Sequence, residues 1–281
     1  MRIGIHTSTS GSLEKAALKA AELGANTFQI FSASPRMWRA GTPDPVQVHL
    51  LRRAREKHDL FPLVIHDSYL INLASCDEEL RTKSVAAFRG EIQRALTIGA
   101  EFLVAHPGNC RGQSVEQGIA AVVRSLVEAC RDIDTMGLTV LLENTAGAGA
   151  SLGSHTAELK MMRDYAVQFC DLQIGFCVDT CHCFVSGYDT IAFAAELGME
   201  HVRVIHANDS KGAFESHLDR HANIGEGQIG VENFRRILSD PRVRHKAFIL
   251  ETPVDEPGDD LKNVSKLKSL CPKERPAKKK K

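Results

Sequence analysis

The sequence has no long hydrophobic run and no regular spacing of cysteines. No stretch approaches the roughly 20 consecutive apolar residues that a membrane-spanning helix needs, and the first residues do not resemble a signal peptide. The eight cysteines are spread irregularly along 281 residues, which does not indicate a disulfide framework. These absences exclude a membrane protein and a small secreted scaffold. We expect a cytoplasmic location, associated with the nucleoid if the source is bacterial.

The chain also lacks a net charge, because 35 Lys and Arg residues balance 35 Asp and Glu residues. The balance is uneven: residues 262–281 contain nine basic residues and one acidic residue, which leaves residues 1–261 with a net charge of −8. So acidic a body is unfavourable for binding a polyanion. Binding to such a partner would need positive charge that the amino-acid formula omits.

Short apolar and β-branched runs alternate with segments of helical period. Eight runs predict β-strands, at residues 2–6, 27–31, 63–66, 102–106, 139–143, 174–179, 202–206 and 247–251. Each interval contains an amphipathic stretch, such as the one from Leu13 to Leu23 that Gly24 ends. Near-continuous apolar strands between helices indicate parallel strands buried on both faces. Eight such units favour an α/β fold, a closed (β/α)₈ TIM barrel with its active site at the C-terminal mouth.

The barrel predicts a simple domain organisation. Residues 1–261 have the length of a single TIM-barrel catalytic domain. Residues 262–281 are rich in lysine and include Pro272 and Pro276, a composition typical of disorder. We therefore expect one catalytic domain followed by a basic, disordered C-terminal tail.

Seven of the eight predicted strands end in a histidine, an aspartate or a glutamate. These residues are His6, His66, His106, Glu143, Asp179, His206 and Glu251. The C-terminal ends of all barrel strands face one mouth, so the seven side chains converge on a single site. A buried polar group without a partner costs several kcal/mol, so seven together indicate a common partner. His6 taken alone fits a hydrogen-bonded core histidine equally well.

Histidines and carboxylates in one site are typical ligands of a catalytic divalent metal. Three more such residues follow the strands in loops: His182, Asp219 and His221. With them the site contains five histidines and four carboxylates outside His6, whereas one catalytic ion usually takes three protein ligands. The sequence therefore predicts two or three ions, and imidazole-rich sites favour zinc, iron or manganese.

Eight of these ten residues, all except His6 and Glu251, lie in six motifs between residues 66 and 230. In chain order these are His66-Asp-Ser-Tyr69-Leu70-Ile-Asn72-Leu, Ala105-His106-Pro-Gly108, Leu142-Glu143-Asn144-Thr145, Val178-Asp179-Thr-Cys-His182, His206-Ala-Asn208-Asp209-Ser-Lys211 and Asp219-Arg-His221-Ala-Asn-Ile-Gly225-Glu-Gly227-Gln-Ile-Gly230. Together they closely resemble endonuclease IV, the apurinic/apyrimidinic endonuclease family of DNA repair. Six motifs in order, each at a predicted strand end or in the following loop, are a specific match.

The resemblance implies a trinuclear zinc centre, in which Mn²⁺ or Fe²⁺ are possible substitutes. One zinc would be held by His66, His106 and Glu143, a second by Glu143, Asp179, His206 and Glu251, and a third by His182, Asp219 and His221. Glu143 would bridge two ions, and it is expected to be catalytic together with Glu251. The implied reaction is phosphodiester hydrolysis, in which the ions lower the pKa of water and neutralise charge on the phosphate.

The resemblance also implies a substrate and the residues that recognise it. The enzyme would incise DNA on the 5′ side of an abasic site, leaving a 3′-hydroxyl, and would remove 3′ blocking groups. Arg36, Tyr69 and Leu70 would penetrate the double helix at the lesion, an inventory suited to opening a base step. An abasic nucleotide flips out cheaply because it has no base to unstack. We expect a monomer that binds no membrane.

Two other functions remain open on the sequence. A sugar isomerase of similar barrel type also places His, Asp and Glu around two metals. It would need neither the third ligand set nor the DNA wedge, that is, Arg36, Tyr69 and Leu70. A DNA-damage binding protein without catalytic activity is disfavoured because every ligand type is present.

Some residues near the motifs are predicted to have no catalytic role. Cys181 and Cys183 flank His182, but side chains in an extended segment alternate, so one ion could not collect all three. His217 is expected to be a loop histidine rather than a tenth ligand. The glycines from Gly225 to Gly230 predict a turn at the barrel mouth, since no strand precedes them as a nucleotide-binding motif requires.

Overall fold

The computed structural model describes residues 1–272 as a closed barrel of eight parallel strands. These are β1 (Arg2–His6), β2 (Thr27–Phe31), β3 (Leu63–His66), β4 (Phe102–Ala105), β5 (Thr139–Glu143), β6 (Gln173–Asp179), β7 (Val202–His206) and β10 (Ala247–Leu250). The barrel closes because β10 pairs with both β1 and β7. A short antiparallel ribbon, β8 (Asp209–Ser210) and β9 (His221–Ala222), lies between β7 and β10 in the chain. The predicted TIM barrel is confirmed, and all eight strands end within one residue of their predicted bounds.

Helices surround the barrel. They are α1 (Leu13–Glu22), α2 (Pro45–His58), α3 (Glu78–Ile98), α4 (Val115–Cys130), α5 (Thr156–Ala166), α6 (Thr180–Val185), α7 (Thr190–Leu197), α8 (Gly230–Ser239) and α9 (Asp259–Leu270), with a 3₁₀ turn at Pro241–Val243. Local sequence explains their ends: Ser114 and Gln117 form a reciprocal capping box before α4, and Gly99 takes the left-handed conformation after α3. Within residues 1–272, no helix is long and apolar enough to cross a membrane.

A layer of apolar side chains fills the barrel directly below the strand ends. Its fully buried members are Val64, Val104, Leu141, Cys177, Val204 and Ile249. Each lies two residues before a predicted ligand and therefore on the same face of the sheet. On β1 the equivalent residue is Gly4, where a Cβ would lie 1.9 Å from the carbonyl oxygen of Thr27. The layer forms a packed floor beneath the polar mouth.

The predicted boundary of the C-terminal tail is wrong. Residues 262–270 are not a disordered tail, because they belong to α9, which packs against β1 and α8. Val264, Leu267 and Leu270 are buried at a spacing of three residues, whereas the lysines between them are exposed. The apolar stripe anchors the helix to the barrel. Residues 273–281 of the predicted tail lie outside the described residues.

Candidate metal centre

The nine side chains predicted as ligands lie together at the C-terminal mouth of the barrel. Four are the last residues of their strands, and His106 and Glu251 follow β4 and β10 directly. Of the other three, His182 lies in α6, Asp219 in the loop between β8 and β9, and His221 in β9. Six of the nine line a cavity of about 860 Å³: His66, His106, His182, Asp219, His221 and Glu251. Glu143, Asp179 and His206 are at most 1% exposed. The donor atoms form three clusters, in each of which they lie within 4.8 Å of one another.

The first cluster contains His66, His106 and Glu143. Oε2 of Glu143 lies 3.2 Å from Nε2 of His66 and 3.6 Å from Nε2 of His106. Nδ1 of His66 lies 3.0 Å from the carbonyl oxygen of Asp67, an atom that can only accept, so Nδ1 donates. In a neutral His66 ring, the lone pair is then on Nε2, the nitrogen that faces Glu143 and could bind a metal.

The second cluster contains Glu143, Asp179, His206 and Glu251. Nδ1 of His206 lies 2.8 Å from Oε1 of Glu143 and 3.2 Å from Oε2 of Glu251. Glu143 therefore belongs to two clusters, and its two carboxylate oxygens face different imidazoles. This is the arrangement that a carboxylate bridging two ions requires.

The third cluster contains His182, Asp219 and His221. The Asp219 carboxylate lies 3.3 Å from Nε2 of His182 and 3.5 Å from Nε2 of His221. Nδ1 of each ring donates to a backbone carbonyl, His182 to Asn144 at 2.9 Å and His221 to Glu251 at 3.1 Å. Both rings therefore present Nε2 to Asp219, which is more exposed than the other predicted ligands.

The donor atoms fit divalent cations. Nε2 of His221 is buried without a hydrogen-bond partner among the described residues, 3.5 Å from Asp219 and 3.8 Å from Asp179. A buried, unpartnered polar atom costs about 1–3 kcal/mol. These gaps are long for hydrogen bonds, but they suit donors arranged around one ion with bonds of about 2 Å. The mixture of imidazole and carboxylate suits zinc, iron or manganese.

The electrostatics of the clusters favour positive charge. Burial alone would raise the pKa of Glu143, but the charges of His206 and His106 outweigh it and hold that pKa well below its usual range. Burial would likewise lower the pKa of His66, but the hydrogen bond and charge of Glu143 raise it to about 10. Without cations, Glu143 therefore favours a proton on His66, whereas burial lowers the pKa of His106. Bound metal ions would displace such protons, and their positive charge would balance the same carboxylates.

Two asparagines hold Asp179 in place, and sequence reasoning did not assign them a role. The Asn144 side chain accepts from the Asp179 amide at 2.6 Å, and its Nδ2 donates to the Asp179 carbonyl at 3.3 Å. Nδ2 of Asn208 donates to Oδ2 of Asp179 at 2.6 Å, while Oδ1 of Asn208 accepts from the Glu251 amide at 2.8 Å. Both asparagines lie in the quoted motifs, next to or two residues after a ligand, which is the signal that could have found them.

A third residue without a predicted role, Asp209, organises the turn that follows the third cluster in the chain. Its buried carboxylate accepts hydrogen bonds from the amides of Gly225 and Gly227 at 2.8 and 3.2 Å and from that of Ile229 at 2.9 Å. A Cβ at position 227 would lie 2.5 Å from Oδ1 of Asp209, so this position requires glycine. The predicted turn is found, and the structure adds that it folds around one carboxylate.

Of the three predicted DNA-binding residues, Tyr69 lines the cavity, and Arg36 and Leu70 are each next in the chain to a residue that lines it. Tyr69 is 69% exposed and lines the cavity, with its ring 5.2 Å from that of Phe31. Arg36 is exposed and follows Pro35, which also lines the cavity, whereas Leu70 is half-buried. The structure thus places an aromatic side chain at the cavity, with Leu70 next to it in the chain and Arg36 exposed beside the lining residue Pro35.

The other residues near the motifs are arranged differently from the ligands. Cys181, His182 and Cys183 lie in α6, so the expected extended segment is wrong; in a helix, too, three consecutive side chains point in different directions. Cys181 approaches Asp179 and His221, while Cys183 contacts Asn144. Nδ1 of His217 donates to a backbone carbonyl at 2.8 Å, and His217 belongs to none of the clusters found in residues 1–272.

Comparisons with known proteins agree with this geometry. The family described as xylose isomerase-like TIM barrel matches residues 17–271. A probable endonuclease 4 of Solibacter usitatus is 58% identical over 96% of this chain and 97% of its own length. Endonuclease 4 of Thermus thermophilus is 36% identical over 95% of this chain and 97% of its length.

Solved structures show the same relationship. The crystal structure of an endonuclease IV from Thermus thermophilus has a TM-score of 0.82 and 36% identity, covering 96% of this chain and 98% of that one. A D-tagatose 3-epimerase-like protein has a TM-score of 0.72 over 96% of this chain and 97% of that one, but at 22% identity it shares only the fold. With fold, strand-end residues and relatives in agreement, the chain belongs to the endonuclease IV family, and it is an enzyme of the nuclease class of hydrolases.

Proposed function

We propose that this protein incises DNA by hydrolysing the phosphodiester on the 5′ side of an abasic site, leaving a 3′-hydroxyl and a 5′-deoxyribose phosphate. The convergence of nine imidazole and carboxylate side chains into three clusters within one cavity carries this proposal. The relatives named endonuclease 4 support a nuclease, and the resemblance of the motifs supports an abasic substrate. Blocked 3′ ends are a second proposed substrate, because they present the same phosphodiester to the same site.

Each of the three clusters would bind one of the proposed Zn²⁺ ions. His66, His106 and Glu143 would hold one ion, Glu143, Asp179, His206 and Glu251 a second, and His182, Asp219 and His221 a third. Bound ions would supply Lewis acidity, which lowers the pKa of water and neutralises charge on the phosphate. Manganese or iron could substitute, since they accept the same donors. Glu143 and Glu251 are the proposed catalytic carboxylates, and both face Nδ1 of His206.

The residues of the DNA wedge would recognise the lesion. Tyr69 offers an exposed aromatic ring that lines the cavity, and Arg36 offers a charge that can contact a phosphate. Leu70 would add an apolar contact at the unstacked step. We further propose that the enzyme acts as a cytoplasmic monomer, associated with the nucleoid in a bacterial cell, because a single chain contains every residue that the site needs.

A sugar isomerase is the second candidate, because the family that matches this chain is described as a xylose isomerase-like TIM barrel. The third cluster argues against it: two metals are sufficient for isomerisation, and His182, Asp219 and His221 would then lack a function. The 58% identity to a probable endonuclease 4 supports the same choice.

The deciding experiment uses a DNA duplex that contains one abasic site and an end label. The metal-loaded protein should produce a single shorter fragment ending in a 3′-hydroxyl that a polymerase extends, and none from an intact duplex. Treatment with a chelator should remove the activity, and added Zn²⁺ should restore it. No cleavage by protein that carries its full metal content would refute the proposed function.

Replacement of Tyr69 by alanine should weaken binding to abasic DNA by about ten-fold, the scale of one lost aromatic stacking contact. Binding to an intact duplex should change much less, because its base step stays closed. Fluorescence anisotropy with both duplexes measures the two dissociation constants. Tyr69→Phe should retain most of the affinity, and Tyr165→Ala, which removes an exposed tyrosine from α5, should have no effect. Equal losses on both duplexes would argue against the wedge.

A further inference from the structure

Gln29 is a buried amide in the middle of β2, among the metal-ligating side chains but not one of them. Its exposed fraction is 0%, and its neighbours in the strand sequence, Phe28 and Ile30, are equally buried. A polar side chain inside a barrel is costly unless every hydrogen-bonding group is satisfied. The hydrogen bonds of the Gln29 amide therefore show which side chains it positions.

The Gln29 amide joins two members of the second cluster. Nε2 lies 2.6 Å from Oε1 of Glu251 and 3.1 Å from Nδ1 of His6, so its two hydrogens have two partners. Oε1 lies 2.9 Å from Nε2 of His206. His206 and Glu251 also face each other, at 3.2 Å between Nδ1 and Oε2.

These contacts allow one orientation of the amide. The Glu251 carboxylate can only accept when ionised, so the amide nitrogen must face it. The amide oxygen must then face His206, and Nε2 of His206 must donate its hydrogen. In a neutral imidazole this leaves the lone pair on Nδ1, the nitrogen that points at Glu143 and Glu251.

The other fixed imidazoles are oriented by the backbone. His66, His182 and His221 each donate Nδ1 to a carbonyl oxygen, which no substitution can remove, and each presents Nε2. His206 presents the opposite nitrogen, and the group that selects it is a side chain. This difference gives Gln29 a role that mutation can test.

We propose that Gln29 is a positioning residue of the second metal cluster, which selects the Nε2–H tautomer of His206 and fixes the rotamer of Glu251. The inference rests on the proposed function, since it assigns Gln29 to the binding of the ion shared by Glu143, His206 and Glu251. Partners of this kind typically change metal affinity by about 10–100-fold when they are removed. The expected effect falls on one of the three ions.

Two substitutions separate hydrogen bonding from volume. Gln29→Met keeps the length of the side chain but removes all three hydrogen bonds, to Glu251, His6 and His206. Gln29→Glu keeps an acceptor for His206 and places a second carboxylate 2.6 Å from that of Glu251. The matched control is Thr27→Val, which removes a buried hydrogen bond from the same strand, 2.6 Å from Thr27 Oγ1 to the Pro62 carbonyl, without contacting a cluster.

The primary measurement is metal retention against a competing chelator, followed by elemental analysis of the folded protein. In Gln29→Met the dissociation constant of one ion should rise by about 10–100-fold, and the other two ions should stay as in the parent and in Thr27→Val. The absorption spectrum of the cobalt-loaded protein should change for one site only. Retention of all three ions with parental affinity would overturn the inference.

A second measurement needs no variant and therefore does not depend on whether one folds. Nitrogen-15 NMR of the zinc-loaded parent protein should show His206 protonated at Nε2, whereas protonation at Nδ1 would overturn the inference. Metal retention and tautomer do not involve DNA. A parent protein that binds its ions but leaves abasic DNA intact would therefore refute the proposed function and leave the assignment of Gln29 standing.

Discussion

Replacing Glu143 by alanine is expected to reduce incision of abasic DNA by roughly 10³-fold or more while the barrel remains folded. The Glu143 carboxylate contributes oxygen atoms to two clusters, so its loss should weaken the binding of two ions at once. An ion contributes several kcal/mol of transition-state stabilisation, which corresponds to a loss of this size. The fold should persist because the apolar layer below the site, including Leu141 on the same strand, is untouched.

The measurement combines incision rate, metal content and circular dichroism. Glu143→Gln should lose activity to a similar degree, because it keeps the shape and removes the bridging charge. Glu91→Gln is the matched control: Glu91 is also buried, but it pairs with Arg94 at 2.8 Å, outside the three clusters. An active Glu143→Ala enzyme with full metal content would refute the shared carboxylate.

Among the substitutions proposed for this protein, replacing Asp209 by alanine is expected to lower the free energy of unfolding most. The carboxylate is fully buried and accepts from the amides of Ser210, Gly225, Gly227 and Ile229 at 2.8–3.2 Å. Removing it leaves several buried N–H groups without a partner, at a cost of about 3–5 kcal/mol in the free energy of unfolding. For a chain of this size, that corresponds to a fall in Tm of roughly 10 °C.

The same substitution should also release the third ion, because His221 lies in β9 and Asp219 in the loop that joins β8 to β9, and Asp209 is itself part of β8. Calorimetry and elemental analysis measure the two effects separately. Asp44→Ala provides the control: it removes an exposed helix cap that makes one hydrogen bond, to the amide of Val46, and should cost about 1 kcal/mol. An Asp209→Ala protein with the stability of Asp44→Ala and three ions would contradict this account.

The acidity of the body has a structural explanation. Glu143, Asp179, Asp219 and Glu251 contribute to the negative charge of residues 1–261, and all four belong to the clusters. Bound divalent cations would make the charge of this cavity positive where the phosphate of the DNA would lie. On the proposed function, an uncharged chain can therefore bind DNA through charge concentrated at the barrel mouth.

Features that repeat at short range were predictable from the sequence. The eight strands follow from apolar runs, and the gathering of His, Asp and Glu follows from the barrel, since all strand ends share one mouth. The predicted tail boundary is wrong because the composition of residues 262–281 as a whole is dominated by lysine, which hides the different pattern of residues 262–270. The stripe of Val264, Leu267 and Leu270 was present in that segment and carried the opposite signal.

The sequence by itself determined the barrel, the ligand types and the family, because these depend on periodicity and on motifs read along the chain. Only the tertiary structure decided which nitrogen of each imidazole faces a carboxylate, that Gln29 bridges His206 and Glu251, and that Asp209 gathers the glycine turn. The physical reason is that hydrogen bonds are short and directional. Gln29 and His206 are 177 residues apart, and no local pattern reports that their atoms meet at 2.9 Å.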